Sequence, residues 1–203
     1  QLDRALEYYI KSKSIRDGFG LQNTADYASL LKNIGVVYDS KGQPDRALEY
    51  YIKSKSIRDG LGLQNTAGYA NLMNNIGIVY DSKGQLDRAL EYYLNSQSIR
   101  DRLGLQNTSG YAGLMMNIGN VYNIKGQLDR ALEYYLNAQS IRDRLGLQNT
   151  ADYASLMYSM AMLYEKQGQR DMAGRYYRMT YDTCVRADYS GEWRDMALNN
   201  AKR

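Results

Sequence analysis

The chain has 203 residues, a formal net charge of +4, a single cysteine and no histidine. Most of its Lys and Arg stand beside Asp or Glu, as in Asp45-Arg46 with Glu49 or Arg58-Asp59. That pattern reads as a solvated, salt-laced helix face and argues against nucleic acid as a partner. One cysteine, Cys184, excludes an intrachain disulfide and fits a reducing, cytoplasmic setting. No stretch approaches the roughly 18 apolar residues of a membrane span, and no signal peptide is visible. The chain starts at Gln1, without Met and in mid-pattern, so it reads as a piece of a longer protein.

A Gly-Gln marker returns at Gly42-Gln43, Gly84-Gln85, Gly126-Gln127 and Gly168-Gln169, a fixed period of 42 residues. A period of this size signals a repeat array, in which each unit buries its apolar face only against its neighbours. Tyr is abundant (21) and Phe almost absent (1), which suits a narrow two-layer core: a Tyr ring packs inside while its hydroxyl finds water or a carbonyl. A single Pro agrees with an all-helical body.

In chain order, residues 1–17 (QLDRALEYYIKSKSIRD) form an orphan helix, called B-type, followed by a Gly-rich break at Gly18 and Gly20. Four pairs follow. A-type helices are predicted at 24–40, 66–82, 108–124 and 150–166, and B-type helices at 44–60, 86–102, 128–144 and 170–186. Tyr27, Leu30, Leu31, Ile34 and Tyr38 fall on one helix face, as do Ala47, Tyr50, Tyr51, Ser54 and Ile57. Asn23 and Asn149, each with an Asp three residues on (Asp26, Asp152), are read as N-caps of A-type helices. Asp45, Asp87 and Asp129 occupy the first turn of B-type helices, where the dipole favours negative charge. Pro44 takes the first helical position, where it is tolerated, and Gly62, Gly104 and Gly146 end B-type helices in a left-handed cap. Residues 1–187 thus make one array. Residues 188–203 (DYSGEWRDMALNNAKR) lie outside the repeat as a capping helix or tail, with Trp193, Met196 and Leu198 placed to cover the last B-type helix.

Two columns of small residues recur: Gly35, Gly77, Gly119 and Ala161 in the A-type helices, and Ala47, Ala89, Ala131 and Ala173 in the B-type helices. Gly inside a helix costs about 0.5–1 kcal/mol relative to Ala. Its repeated use predicts a close approach of two helix backbones, or else the copying of one ancestral Gly by duplication.

With Leu31, Ile34-Gly35, Tyr38, Ala47, Tyr51 and Ile57 in place, and Ile76-Gly77, Tyr80, Ala89, Tyr93 and Ile118-Gly119, Tyr122, Ala131, Tyr135 after them, the chain resembles a tetratricopeptide repeat (TPR) array. The usual unit of that family is about 34 residues. The longer unit here is similar to those of kinesin light chains and Leu-Gly-Asn-type spindle-orientation adaptors. The resemblance implies an all-α solenoid, a right-handed superhelix of antiparallel helix pairs, whose A-type helices line a concave groove that grips peptides of partner proteins.

The repeats differ where the resemblance places that groove. Gln85–Thr108 and Gln127–Thr150 differ only at Ser96 versus Ala138, whereas the A-type helices diverge. The groove columns are Ser29/Asn71/Gly113/Ser155, Lys32/Asn74/Met116/Tyr158 and Val36/Ile78/Asn120/Met162. Beside them runs a nearly constant column, Asn33, Asn75, Asn117 and then Ser159. The candidate peptide-binding residues are therefore Lys32, Asn33, Val36, Asn71, Asn74, Asn75, Ile78, Met116, Asn117, Asn120, Tyr158 and Met162. An Asn amide offers donors and acceptors, so an Asn ladder can bond the backbone of an extended peptide, as in similar TPR adaptors. The other reading is that it ties neighbouring A-type helices in register. The family's two-carboxylate clamp is not matched: Lys32 is present, but Val36 replaces the partner Asn and Gly113 stands where a basic residue is required.

Catalysis is not expected. No His supplies a general base or metal ligand, Cys184 reads as a buried core thiol, no Gly-rich phosphate loop occurs, and no cofactor or metal is implied. Two functional readings follow. One is a protein-interaction scaffold holding a partner peptide in the groove. The other is self-assembly, a homo-oligomer stacked end to end through exposed terminal helices, since the first B-type helix lacks a preceding A-type partner.

Overall fold

The computed structural model describes residues 1–188 and 192–200; the side chains of Glu192 and Trp193 fall outside the described set. Among the described residues there are ten helices and no strand: α1 Leu2–Gly18, α2 Ala25–Ser40, α3 Pro44–Gly60, α4 Ala67–Ser82, α5 Leu86–Arg102, α6 Ser109–Ile124, α7 Leu128–Arg144, α8 Ala151–Lys166, α9 Arg170–Arg186 and α10 Glu192–Asn200. The architecture is an all-α solenoid of helix pairs. It divides into two compact units, Gln1–Gly104 and Leu105–Arg203.

Helix starts and stops follow local chemistry. Each A-type helix is capped by a threonine and not by the asparagine before it: Thr24, Thr66, Thr108 and Thr150 have extended backbones, and each hydroxyl accepts from the N–H three residues on. Thr and Asn are both good caps and stand side by side, so only the backbone conformation decides which one turns the chain. Pro44 does sit in the first turn of α3. Gly62 adopts φ 69°, and Leu63 N–H returns to the Arg58 carbonyl at 2.9 Å, closing the end of α3 as a left-handed cap requires.

In the first unit, α2 pairs with α3 and α4 with α5, while α2 and α4 lie side by side and α1 packs against α2. The core alternates Leu, Ile and Met from the A-type helices with Tyr from the B-type helices; Leu72, Met73, Ile76 and Tyr51 are fully buried. Burial of this apolar area, at about 25 cal/mol per Å², is what holds each pair.

The recurring glycines serve a different contact from the backbone crossing that sequence implied. A Cβ on Gly35 would lie 2.5 Å from the Tyr51 ring, and on Gly77 or Gly119 it would lie 2.6 Å from the Tyr93 or Tyr135 ring. The glycine is a socket for an aromatic ring edge. The facing backbone comes second, with the Ala47 carbonyl 3.2 Å from the same Gly35 point.

Polar bonds repeat with the same period. The Ser54 hydroxyl donates to the Ala28 carbonyl at 2.6 Å, and Ser96 to the Ala70 carbonyl at 2.8 Å. Tyr27 and Tyr69 donate to Asp17 and Asp59, both at 2.6 Å, linking the end of one B-type helix to the start of the next A-type helix. Tyr38–Tyr50 and Tyr80–Tyr92 stack at 5.4 Å, with Arg46 over Tyr38 and Arg88 over Tyr80.

In the second unit, α6 pairs with α7 and α8 with α9, α6 lies beside α8, and α10 packs on α9 and α8. Tyr153 donates to Asp143 at 2.8 Å, and Tyr164 stacks on Tyr176 at 5.3 Å. On α10, Ala197 is buried, Leu198 is half-buried and Met196 Sδ accepts from the Tyr158 hydroxyl at 3.8 Å. Asn200 reaches the Tyr177 hydroxyl on α9. The expectation for Trp193 falls on a side chain outside the described residues.

Candidate functional site

The outward faces of the A-type helices carry the predicted columns. In the first unit, Ser29, Lys32 and Val36 on α2 stand beside Asn71, Asn74 and Ile78 on α4. In the second, Gly113, Met116 and Asn120 on α6 stand beside Ser155, Tyr158 and Met162 on α8. Val36, Ile78 and Met162 are 38%, 36% and 40% exposed, so each unit presents apolar side chains among polar ones on this face. Lys32, Asn33, Asn74, Met116 and Asn117 are half-buried. Burial, and then the neighbouring Arg58 charge, holds the Lys32 ammonium below its ordinary value.

Several candidate side chains already have partners. The Asn75 side chain lies within reach of the Tyr51 hydroxyl on the preceding B-type helix, and Ser159, the last member of that column, lies within reach of Tyr135 in the same way. The polar column therefore reaches the preceding B-type helix at these two places, whereas one of the two readings of the sequence placed its contact on the neighbouring A-type helix. Asn120 Oδ1 accepts from Tyr135 at 2.7 Å. Asn71 Oδ1 accepts from Arg100 at 2.5 Å. The Tyr158 ring meets Tyr177 edge-on at 5.8 Å.

The arginines closing the B-type helices correct the sequence reading most. Arg58, Arg100 and Arg142 are not on a solvated face; they are 8%, 8% and 4% exposed. Asp59, adjacent to Arg58 in sequence, pairs with Lys55 at 2.7 Å, while the Arg58 guanidinium turns inward and donates to Ser29 at 2.9 Å. The signal was present as an Arg recurring at a fixed place in SIRD, but an Arg–Asp dipeptide reads as surface by composition. Arg46 is exposed, as expected, but lies over the Tyr38 ring, and Glu49 pairs with Lys53 at 2.6 Å.

This face offers hydrogen-bond donors and acceptors and adaptable apolar side chains. Among the described residues there is no group of metal-ligating side chains and no helix long and apolar enough to cross a membrane. Cys184 is fully buried, and burial pushes its thiol up, away from a reactive thiolate.

A family model described as Tetratricopeptide repeat matches residues 26–102 and 111–184, most of the chain. The chain belongs to the tetratricopeptide repeat family. Solved TPR-type structures agree in fold. BtubC (BKLC) from P. vanneervenii is 17% identical, with a TM-score of 0.73 over 100% of this chain and 90% of that one. The nearly identical, kinesin-light-chain-like TPR repeats of Podosopora anserina are 15% identical, with a TM-score of 0.76 over 93% and 89%. The apo form of RapI is 16% identical, with a TM-score of 0.82 over 99% and 76%. No curated protein sequence matches significantly. As a TPR protein the chain is a protein-interaction scaffold.

Proposed function

We propose that this TPR array binds a peptide segment of a partner protein along the outward face of its A-type helices. One observation carries the reading: between the second and third pairs, sequence variation falls on the A-type face, where Val36, Ile78 and Met162 of the array are exposed, while the B-type helices α5 and α7 differ only at Ser96 versus Ala138. A framework that is copied and a face that changes is the division of labour expected of a recognition surface. Helix-in-groove docking and extended-backbone capture both suit a mixture of Met, Val, Ile and amide side chains.

The test is peptide selection from a random short-peptide display library on the intact chain, with affinities measured for wild type and for a Val36→Ala plus Ile78→Ala variant of the first unit. Both side chains are substantially exposed, so the variant keeps the fold and weakens binding. Equal affinities for every selected peptide, in this variant and in a Met116→Ala plus Met162→Ala variant of the second unit, remove the reading.

The second reading, end-to-end self-association, is favoured by α1. It differs from α3 only in Leu2 for Pro44, yet it has no buried residue; Tyr8 is 61% and Phe19 76% exposed. In α3, Ala47, Tyr51 and Ser54 are buried under α2, whereas their equivalents in α1, Ala5, Tyr9 and Ser12, are only half-buried. Light scattering over a concentration series separates the two: mass that rises with concentration supports assembly, and a constant monomer supports the peptide reading alone.

A further inference from the structure

The buried arginines repeat, but their partners do not. In the first unit, the Arg58 guanidinium donates to Ser29 Oγ at 2.9 Å, and that of Arg100 donates to Asn71 Oδ1 at 2.5 Å and from Nε to Ser96 Oγ at 3.4 Å. Arg142 occupies the same place in the second unit and is the most deeply buried of the three, at 4% exposed. Both acceptors are lost there by substitution. Gly113 stands where Ser29 and Asn71 stand, and Ala138 where Ser96 stands. The polar contact that remains is an ion pair with Asp152 at 3.6 Å, longer than a hydrogen bond, and Nε has no acceptor.

A guanidinium carries five N–H donors in a fixed fork, and burying donors without acceptors is unfavourable. The side chain therefore has unused hydrogen-bonding capacity in a partly dry setting. The space for an acceptor exists as well: a Cβ built on Gly113 meets nothing within 4 Å. A position without a side chain is also where another backbone approaches most closely. The charge of Arg142 is already offset by Asp152, so the missing group is a neutral acceptor. In the first unit that role is played by an amide oxygen, Asn71 Oδ1.

We infer that Gly113 and Arg142 form a main-chain docking point in the second unit: a bound peptide crosses over Gly113, and one of its backbone carbonyls accepts from the Arg142 guanidinium, as Asn71 Oδ1 accepts from Arg100. This deepens, and rests on, the peptide-binding reading above. It assigns to the second unit a contact that is indifferent to ligand sequence and to Gly113 a role that a side chain would abolish. In the first unit the corresponding place is filled by a side chain, Ser29 or Asn71, that accepts from Arg58 or Arg100, although Arg58 Nε, like that of Arg142, has no acceptor.

The experiment uses peptides selected on the intact chain from the same library and three measurements. Gly113→Asn supplies the acceptor from the protein itself, at a position where Asn71 shows that the repeat tolerates it. It leaves thermal unfolding unchanged or raised and weakens the peptides roughly tenfold or more, the loss expected for a hydrogen bond to a charged donor. Met116→Ala, on the same face of α6, also weakens them. Peptides whose Asp and Glu are replaced by Asn and Gln bind wild type as before. If Gly113→Asn binds as tightly as wild type while Met116→Ala weakens, the docking point is wrong and the peptide-binding reading stands. If neither variant weakens binding, both fall. If the amide-substituted peptides lose affinity for wild type but not for Gly113→Asn, Arg142 reads an acidic side chain and the backbone assignment is overturned.

Discussion

Gly77→Ala tests the socket on which each helix pair is built. A Cβ added at Gly77 meets Tyr93 Cδ1 and Cε1 at 2.6 Å and Cγ at 3.2 Å, along the whole near edge of the ring. The ring is 1% exposed and cannot swing away into solvent. Alone, the substitution favours the helix by about 1 kcal/mol, since Ala is a better helix former than Gly. Overpacking in a closed core costs about 1–3 kcal/mol. The clash prevails, and Gly77→Ala is destabilised by about 1–2 kcal/mol, read from the urea midpoint. Tyr93→Leu removes the ring edge, so in that background Gly77→Ala becomes neutral or stabilising. Gly113→Ala, in a helix but with open space at its Cβ, gains about 0.5–1 kcal/mol. If Gly77→Ala is as stable as wild type with Tyr93 intact, or if its cost is unchanged by Tyr93→Leu, the ring is not what excludes the side chain.

Thr24→Ala removes the hydroxyl that accepts from Tyr27 N–H at 3.1 Å and lowers stability by about 1 kcal/mol, whereas Asn23→Ala changes it by no more than a few tenths, within the range of surface substitutions; calorimetry on the two variants ranks them. Burial raises Tyr135 from 10.0 to about 12, and burial followed by the Asp143 hydrogen bond raises Tyr153 to about 12. Both rings are held protonated by the fold. Their contribution is fully present below the unfolded value near 10 and is lost as pH rises through about 12. Alkaline unfolding followed by circular dichroism therefore falls in that window, together with phenolate absorbance; free titration of both rings near pH 10 with the helices intact would contradict their burial.

Much of the fold was legible because it is written in spacing. The period, the nine repeat helices and the Gly and Pro punctuation depend on neighbours close in sequence, so 44–60 as predicted coincides with α3. What was not legible depends on contacts across turns. Nothing local says that Gly35 receives Tyr51, that Arg58 turns from Asp59 to Ser29, or that Thr24 rather than Asn23 caps α2. The candidate face was legible as columns by number, but not the engagement of its members. Asn75 reads as a free amide until Tyr51 is found opposite it. Arg142 was hidden because its role follows from two absences, at Gly113 and Ala138, that matter only once the neighbouring pairs are laid beside it.

The Gly–Tyr socket and the Tyr-to-amide contact differ in how they behave when the gene is copied. Gly35 and Tyr51 lie within one repeat, so duplicating that repeat duplicates the fit complete. The Tyr51–Asn75, Tyr135–Ser159 and Tyr177–Asn200 contacts each join one B-type helix to whatever helix follows it, and an amide or a hydroxyl serves equally well. Within each unit a copied pair therefore brings its socket complete and meets the next helix through a link that tolerates more than one side chain. The outward side chains, which take no part in the socket, are left free to diverge from copy to copy.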